Sequence, residues 1–341
     1  MYKIAIAGAS TLLGRELKDA LSDSPLAAAD VALLDEEGSA GQLDQVGDEV
    51  TFVQAIAEDA FEHIDFTFFA GSEDMTRKHW RRALRSGASV LDLSGALDQE
   101  AGVLVRAPWI GVDAGTPDLF TPAVVPAHPA ALAIALLLER LQQAAPVRFA
   151  AATVLEPASQ YGRAAMDELH QQTVNLLSFQ TMPREIYDAQ AAYNLVSGLG
   201  EAAKVSLSAA TARIRRHYEA LAGDGLPPIS LQVVHAPVFH GHTFSITVEL
   251  ERPAVVADLE GALGGSHVDL ILEDTDSPSN LAATGQSDVQ VRMRPELSPR
   301  VQGETSRVWL WAASDNLRLN AQNAVACALD LRRVRPQGTV Q

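Results

Sequence analysis

The stretch Lys3-Ile-Ala-Ile-Ala-Gly-Ala-Ser-Thr-Leu-Leu-Gly14-Arg-Glu-Leu constrains the fold more than any other part of the chain. An alternating apolar strand runs into Gly8, a small-residue loop follows, and Gly14 sits inside a helical pattern carried by Leu13, Leu17 and Leu21. An α/β protein begins this way where it offers a helix N-terminus to a phosphate, because the first N–H groups point outward and the helix dipole favours an anion. The candidate cofactor-binding residues of the loop are Gly8, Ser10, Thr11, Leu12, Leu13 and Gly14. One feature departs from the usual pattern: Thr11 stands where a middle glycine would let the backbone approach a pyrophosphate.

Composition narrows the class. A chain of 341 residues predicts two domains and a large core. The formal net charge of −17 argues against a nucleic-acid partner, which needs clustered Lys and Arg. The basic set Arg77, Lys78, Arg81, Arg82 and Arg85 has helical spacing and is read as a solvated face. The single cysteine, Cys327, leaves neither an intrachain disulfide nor a cysteine metal site. Met1 leads straight into a strand, and the longest apolar run, Ala130 to Leu138, is too short to span a bilayer. The expectation is a cytoplasmic protein with no membrane partner.

The first third alternates strands (Lys3–Ala7, Val31–Leu34, Val50–Val53, Asp65–Phe69, Ser89–Leu93) with helices (Leu12–Leu21, Asp74–Ser86), which predicts a doubly wound parallel sheet. Strand Ala123–Val125 and helix Pro129–Ala144 follow. The texture changes near Val147. Strand Phe149–Leu155 leads to a helix at about Ser159–Phe179, and a further helix, Glu201–Leu221, ends in a breaker run. Strands Ile229–Ala236, Thr243–Leu250, Val268–Leu272, Ser287–Arg292 and Ser306–Trp311 predict an α+β domain with a mixed or antiparallel sheet. Met293–Pro299 reads as a loop. Asn316–Arg333 reads as an amphipathic helix expected to pack back on the first domain, with Cys327 in its apolar stripe as a packing residue.

Taken in order, several segments resemble the aspartate-semialdehyde dehydrogenase family. They are the Gly8–Gly14 loop, Phe69-Ala-Gly-Ser72, Leu91-Asp-Leu-Ser-Gly-Ala96, Ala158 to Leu169, Ala236-Pro-Val-Phe-His-Gly-His242, and Asp315-Asn-Leu-Arg318 with Asn323-Ala-Val325. The resemblance covers essentially the whole chain. It implies a Rossmann-like NAD(P)-binding domain at 1–128, completed by a C-terminal helix at 315–335, and a dimerisation domain at 129–314. It adds Gly71, Ser94, Gly95 and Asn316 to the cofactor-binding set and implies a homodimer acting on a small molecule.

That family reduces an acyl phosphate to an aldehyde through a thioacyl enzyme, which requires a thiolate, an acid/base histidine and cations for the substrate's anionic groups. The family's nucleophile segment falls on Val125-Pro-Ala-His-Pro-Ala130, so the cysteine position holds His128 or Pro129, and neither forms a thioester. The flanking glutamine is Glu156, whose carboxylate would repel an acyl phosphate. One expected arginine is His235, and another falls on Leu97 or Asp98, so an arginine fork is lost at both. His242 keeps the acid/base position, and Glu201 with Lys204 resemble the family's substrate-side pair. Both have structural alternatives: His242 as a residue closing the Gly241 turn, Lys204 as a helix-surface residue.

Asp35-Glu-Glu37 follows the second strand. An acidic residue there suits a ribose 2′-hydroxyl and favours NAD over NADP; the alternative is a solvated acidic loop. His240 and His242 are expected to share a strand face near His235, but without a carboxylate or cysteine at ligand spacing no metal is assigned. The chain thus resembles the Usg-type paralogues, which share the fold without the catalytic cysteine. Three readings remain: a member without thiol chemistry, an oxidoreductase on a different carbonyl using His242 as acid/base, and a non-enzymatic dimeric scaffold.

Overall fold

The computed structural model describes residues 1–46, 49–111, 115–272, 275–296 and 303–334. The chain divides into two units, Met1–Ala127 with Asn320–Gln341, and His128–Leu319.

The first unit contains β1 (Lys3–Ala7), α1 (Leu12–Ser22), β2 (Asp30–Asp35), β3 (Leu43–Val46), β4 (Glu49–Phe52), β5 (Gln54–Ala55), β6 (Phe66–Phe69), α2 (Glu73–Arg85), β7 (Ser89–Asp92), β8 (Leu104–Arg106) and β9 (Ala123–Pro126). Seven of these strands form a parallel sheet in the order β5-β2-β1-β6-β7-β9-β8, while β3 and β4 pair as a separate hairpin. Strands β6, β7 and β9 are buried at every residue. That is why they read as short, mostly apolar runs: helices cover both faces. Leu17 and Leu21 of α1 join Ile4, Ile6, Phe66 and Phe68 on one face. Met75, Trp80 and Ala83 of α2 pack with Ala5, Ala7, Phe69 and Val90 on the other. Ala324, Cys327, Ala328 and Leu331 of the terminal helix complete the first of these clusters, as the apolar stripe predicts. Cys327 is buried there, its Sγ 3.5 Å from the Arg106 carbonyl, and burial pushes its thiol pKa up.

The second unit contains α3 (Pro129–Ala144), β10 (Val147–Glu156), α4 (Arg163–Leu177), α5 (Leu207–Ala222), β11 (Ile229–His235), β12 (His242–Val255), α6 (Val256–Leu263), β13 (Val268–Leu270), α7 (Asn280–Ala283), β14 (Val289–Pro295) and β15 (Glu304–Ser314), and runs into the start of α8 (Asn316–Val334). Its sheet has the order β11-β10-β12-β15-β14-β13 and is mixed. The β10–β11 and β13–β14 pairs are parallel; β10–β12, β12–β15 and β14–β15 are antiparallel. One face alternates through buried Ala150, Ala152, Val154, Phe244, Ile246, Val248, Val308, Leu310 and Ala312. The opposite face presents Phe149, Trp309 and Trp311, which are 38%, 45% and 39% exposed.

Four expectations are corrected. The helix expected from Glu201 begins at Leu207, where the Ser206 side chain accepts the Ala209 N–H at 3.2 Å; residues 201–206 form turns. The helix expected over Ser159–Phe179 is interrupted, with a 3-10 turn at Ala158–Tyr161, Gly162 at φ +84°, and α4 only afterwards. The expected loop Met293–Pro299 is strand as far as Pro295, a residue at the strand end that needs no donor there; positions 297–299 lie outside the described residues, as does 335 of the terminal helix. His240 precedes β12 and is separated from His242 by Gly241 at φ +84°, so the two histidines do not share a strand face. Among the described residues no helix is long and apolar enough to cross a membrane.

Candidate functional site

In the first unit the loop after β1 is built by backbone packing. Gly8 has φ +90°, and a Cβ there would come within 2.3 Å of the Gly71 nitrogen. At Gly14 a Cβ would meet the Gly8 carbonyl oxygen at 2.3 Å. Both positions therefore exclude a side chain. Thr11 is no obstruction. It has ordinary extended dihedrals and caps α1: its Oγ1 accepts the Gly14 N–H at 2.9 Å and lies 2.8 Å from the Gly8 carbonyl and 2.9 Å from that of Ala70. The hydroxyl is turned inward, and the first-turn N–H groups of Leu12 and Leu13 have no i−4 carbonyl to serve. Those two donors, with the α1 dipole behind them, fit a phosphate.

Asp35 ties this loop to the end of β2. Its Oδ2 accepts the Ser10 N–H at 3.0 Å and the Ser10 hydroxyl, and its Oδ1 accepts the Glu36 N–H at 2.8 Å. Asp35 is buried, whereas Glu36 and Glu37 are exposed. The end of β2 beside this loop is thus acidic. A second loop, after β7, is organised by buried Asp92, which accepts from the Ser94 N–H (2.9 Å), the Ser94 hydroxyl (2.6 Å) and the Leu97 N–H (2.8 Å); Gly95 turns the chain at φ +87°. Gly71 and Ser72 lead into α2, with the Ser72 side chain capping the Met75 N–H at 3.1 Å.

The second unit holds a different kind of site. Glu156 pairs with His235 across the parallel β10–β11 ladder, and His242 pairs with Ser314 across β12–β15. The β10–β12 register, Leu155 opposite Thr243, carries Glu156 opposite His242 one step on. His235, Glu156, His242 and Ser314 therefore form a single row across four neighbouring strands. Their phase places them on the same face as the apolar core, because cross-strand partners project to one side. All four are buried.

Hydrogen bonding leaves this row incomplete. Tyr161 donates its hydroxyl to Glu156 Oε2 at 2.5 Å, but among the described residues Glu156 Oε1, both ring nitrogens of His242 and the Ser314 hydroxyl make no hydrogen bond. Buried polar atoms of this kind are normally satisfied, so the row is suited to receive a polar group. Burial raises the Glu156 carboxyl to about 7, against the lowering effect of Tyr161 and Arg213. Burial pulls His242 down to about 3, and His235 down to about 4 with a partial offset from the Glu156 carbonyl. At neutral pH both imidazoles are uncharged and Glu156 stands near its midpoint.

His128 closes one side of the site. It caps α3, its Nδ1 accepting the Ala130 N–H at 3.2 Å, and its own N–H donates to His217 Nδ1 at 2.8 Å. Its ring lies 5.8 Å from that of His242, and the Gln160 amide is 3.1 Å from its Nε2. Burial holds the His128 pKa well below the ordinary imidazole value, with the Arg213 charge acting in the same direction. Asn316 locks the turn before His242: its Oδ1 accepts from the Gly241 N–H and the Ser159 hydroxyl, both at 3.1 Å.

The structure brings together His128, Glu156, His235, His242 and Asn316. Glu201 and Lys204 are exposed in a turn, where Lys204 donates its backbone N–H to the Ile186 carbonyl at 2.9 Å, next to Tyr187, whose ring lies 4.6 Å from that of His235. Asn316 lies in the second unit, unlike the other candidate cofactor residues. Sequence reasoning missed Tyr161, Gln160, Arg213, His217 and Ser314. For Ser314 the available signal was its alternation with Val308, Leu310 and Ala312. Among the described residues no group of three or more His, Cys, Asp or Glu side chains is arranged to hold a metal ion.

Comparison with known proteins agrees with this architecture. Residues 3–128 match the family model for the semialdehyde dehydrogenase NAD binding domain, and residues 138–319 match that for the semialdehyde dehydrogenase dimerisation domain. Among similar proteins, a USG-1 protein homolog of Pseudomonas aeruginosa is 29% identical over 329 residues, covering 94% of this chain and 95% of that protein. An aspartate-semialdehyde dehydrogenase of Rickettsia bellii is 25% identical over 337 residues, covering 97% of each. The solved structure of a probable aspartate-semialdehyde dehydrogenase from Pseudomonas aeruginosa superposes with a TM-score of 0.86 at 27% identity, covering 97% of this chain and 98% of that one.

Proposed function

The chain belongs to the semialdehyde dehydrogenase family, and we propose that it is a dimeric, dinucleotide-binding member that does not perform the thiol-dependent reaction. The observation that carries this reading is the location of its one cysteine. Cys327 lies buried in the apolar stripe of the terminal helix, with its pKa raised, while the α3 N-cap that the resemblance assigns to the nucleophile is His128. A buried thiol kept protonated is a poor nucleophile.

The first unit, with residues 1–128 and the terminal helix 315–335 as its proposed extent, would hold the dinucleotide at the α1 N-terminus through Leu12 and Leu13. When bound, the nicotinamide supplies or accepts a hydride. NAD is favoured over NADP, because a 2′-phosphate would face Glu36 and Glu37 beside Asp35. Residues 129–314 would serve dimerisation through the sheet face bearing Phe149, Trp309 and Trp311, an apolar patch of the kind that marks an interface. No feature of the described residues calls for a membrane, and the proposed location is the cytoplasm. Isothermal titration tests the dinucleotide assignment. Micromolar to low millimolar NAD binding is expected; its absence for both nucleotides at millimolar concentration would remove it.

A second reading is favoured by the incomplete polar row: an oxidoreductase acting on an uncharged carbonyl, with His242 as acid/base and no thioester. It accounts for unpartnered polar groups kept in a buried row, which a pure scaffold would have no reason to retain.

A further inference from the structure

The row contains two titratable groups driven apart by the same cause. Glu156 and His242 lie one residue beyond the register pair Leu155 and Thr243 and are therefore neighbours in the row; both are fully buried, and each keeps a polar atom without a hydrogen-bond partner among the described residues. Desolvation favours the neutral form of both, which turns a carboxyl into a base working near neutrality and an imidazole into an uncharged hydrogen-bond donor. Paired groups displaced in opposite directions are the usual mark of an acid/base assignment. Tyr161 holds Glu156 Oε2, so the carboxyl is oriented and Oε1 is the atom left to react. Tyr161 is itself only half-buried and links the row to the surface of the unit.

We propose that this row is a proton-transfer centre for small aldehydes or ketones that carry a hydrogen on the carbon next to the carbonyl. Glu156 Oε1 takes that proton, breaking the C–H bond and forming O–H. The C–H electron pair becomes the carbon–carbon double bond, and the carbonyl π pair moves to oxygen. A ring N–H of His242 donates to that oxygen as its charge grows, with His235 and Ser314 flanking the pair. Return of the proton from Glu156 to the same carbon, as the oxygen lone pair re-forms the carbonyl, completes a hydrogen exchange. The step needs no oxidant, reductant or thiol. It rests on the placing of a carbonyl at His242 in the second reading above and not on nucleotide binding.

The test is hydrogen–deuterium exchange of hydroxyacetone in D2O, followed by proton NMR, with the full-length protein and no nucleotide. The wild-type chain is expected to accelerate exchange over buffer, and Glu156→Gln, which keeps the shape and the Tyr161 contact, to lose at least about tenfold of that acceleration. The surface variant Glu219→Gln is expected to retain it, and thermal melts establish that each variant is folded. Equal exchange rates for wild type and folded Glu156→Gln overturn the proposal. His242 ring shifts recorded with hydroxyacetone separate the two ideas: shifts without exchange overturn proton transfer but keep the carbonyl seat, and no shift with no exchange overturns both.

Discussion

Glu156 and His242 sit one residue beyond the Leu155–Thr243 pair on adjacent antiparallel strands, and burial moves their pKa values in opposite directions, to about 7 and about 3. The carboxyl binds its proton more tightly in the folded chain than in the unfolded one, and the imidazole less tightly. Glu156 alone therefore makes stability fall as pH rises from about 4.5 to about 7, while His242 alone makes it rise between about 3 and 6.5.

The first prediction isolates the carboxyl. Tyr161, Arg213, His235 and His242 surround it and remain in Glu156→Gln, so the difference between the two proteins reports Glu156. The variant should gain stability relative to wild type across pH 4.5 to 7, approaching about 3 kcal/mol for a shift of about 2.5 units. Chemical denaturation at several pH values measures this. A pH-independent difference would mean that Glu156 titrates normally.

Asn316 is predicted to be a structural lock. Asn316→Ala leaves the Gly241 N–H and the Ser159 hydroxyl without their buried acceptor, at a cost of about 1–3 kcal/mol. The melting temperature should fall by several degrees. An unchanged melt would show that water replaces the amide without loss.

The acidic end of β2 predicts nucleotide preference. Reversing the exposed charges in a Glu36→Lys, Glu37→Lys variant should raise NADP affinity relative to NAD several-fold, most clearly at low salt where surface charges are least screened. Asp35 should not be used for this purpose, because its carboxylate holds the Ser10 loop. Titration calorimetry with both nucleotides measures the ratio; an unchanged ratio would remove these charges from recognition.

The sheet face predicts the oligomer. Trp309→Glu with Trp311→Glu should convert a dimer to a monomer in light scattering after gel filtration, since buried carboxylates at an apolar interface are unfavourable. A variant that remains dimeric would place the interface elsewhere.

Much of the fold was legible because its strands are short, apolar and separated by recognisable helices. Among the elements missed, β5 has two residues and β8 three, and each depends on a neighbouring strand to supply the ladder; β3 and the helices α6 and α7 were missed as well. The start of α5 was misplaced because Glu201 to Val205 continues a helical composition, whereas the Ser206 cap sets the boundary. In the site, His128, Glu156, His235 and His242 could be named one by one from the resemblance. Their arrangement could not, because it depends on register between strands distant in sequence. Ser314 entered only through its pairing with His242, and Arg213 through the charge that α5 brings to Glu156 and His128.

The central claim is that this member of the family does not use thiol chemistry, and phosphate-dependent oxidation of aspartate semialdehyde tests it most directly. The purified wild-type chain, assayed by nicotinamide absorbance with NAD and with NADP, is predicted to give no turnover above buffer. Sustained phosphate-dependent turnover would contradict the account.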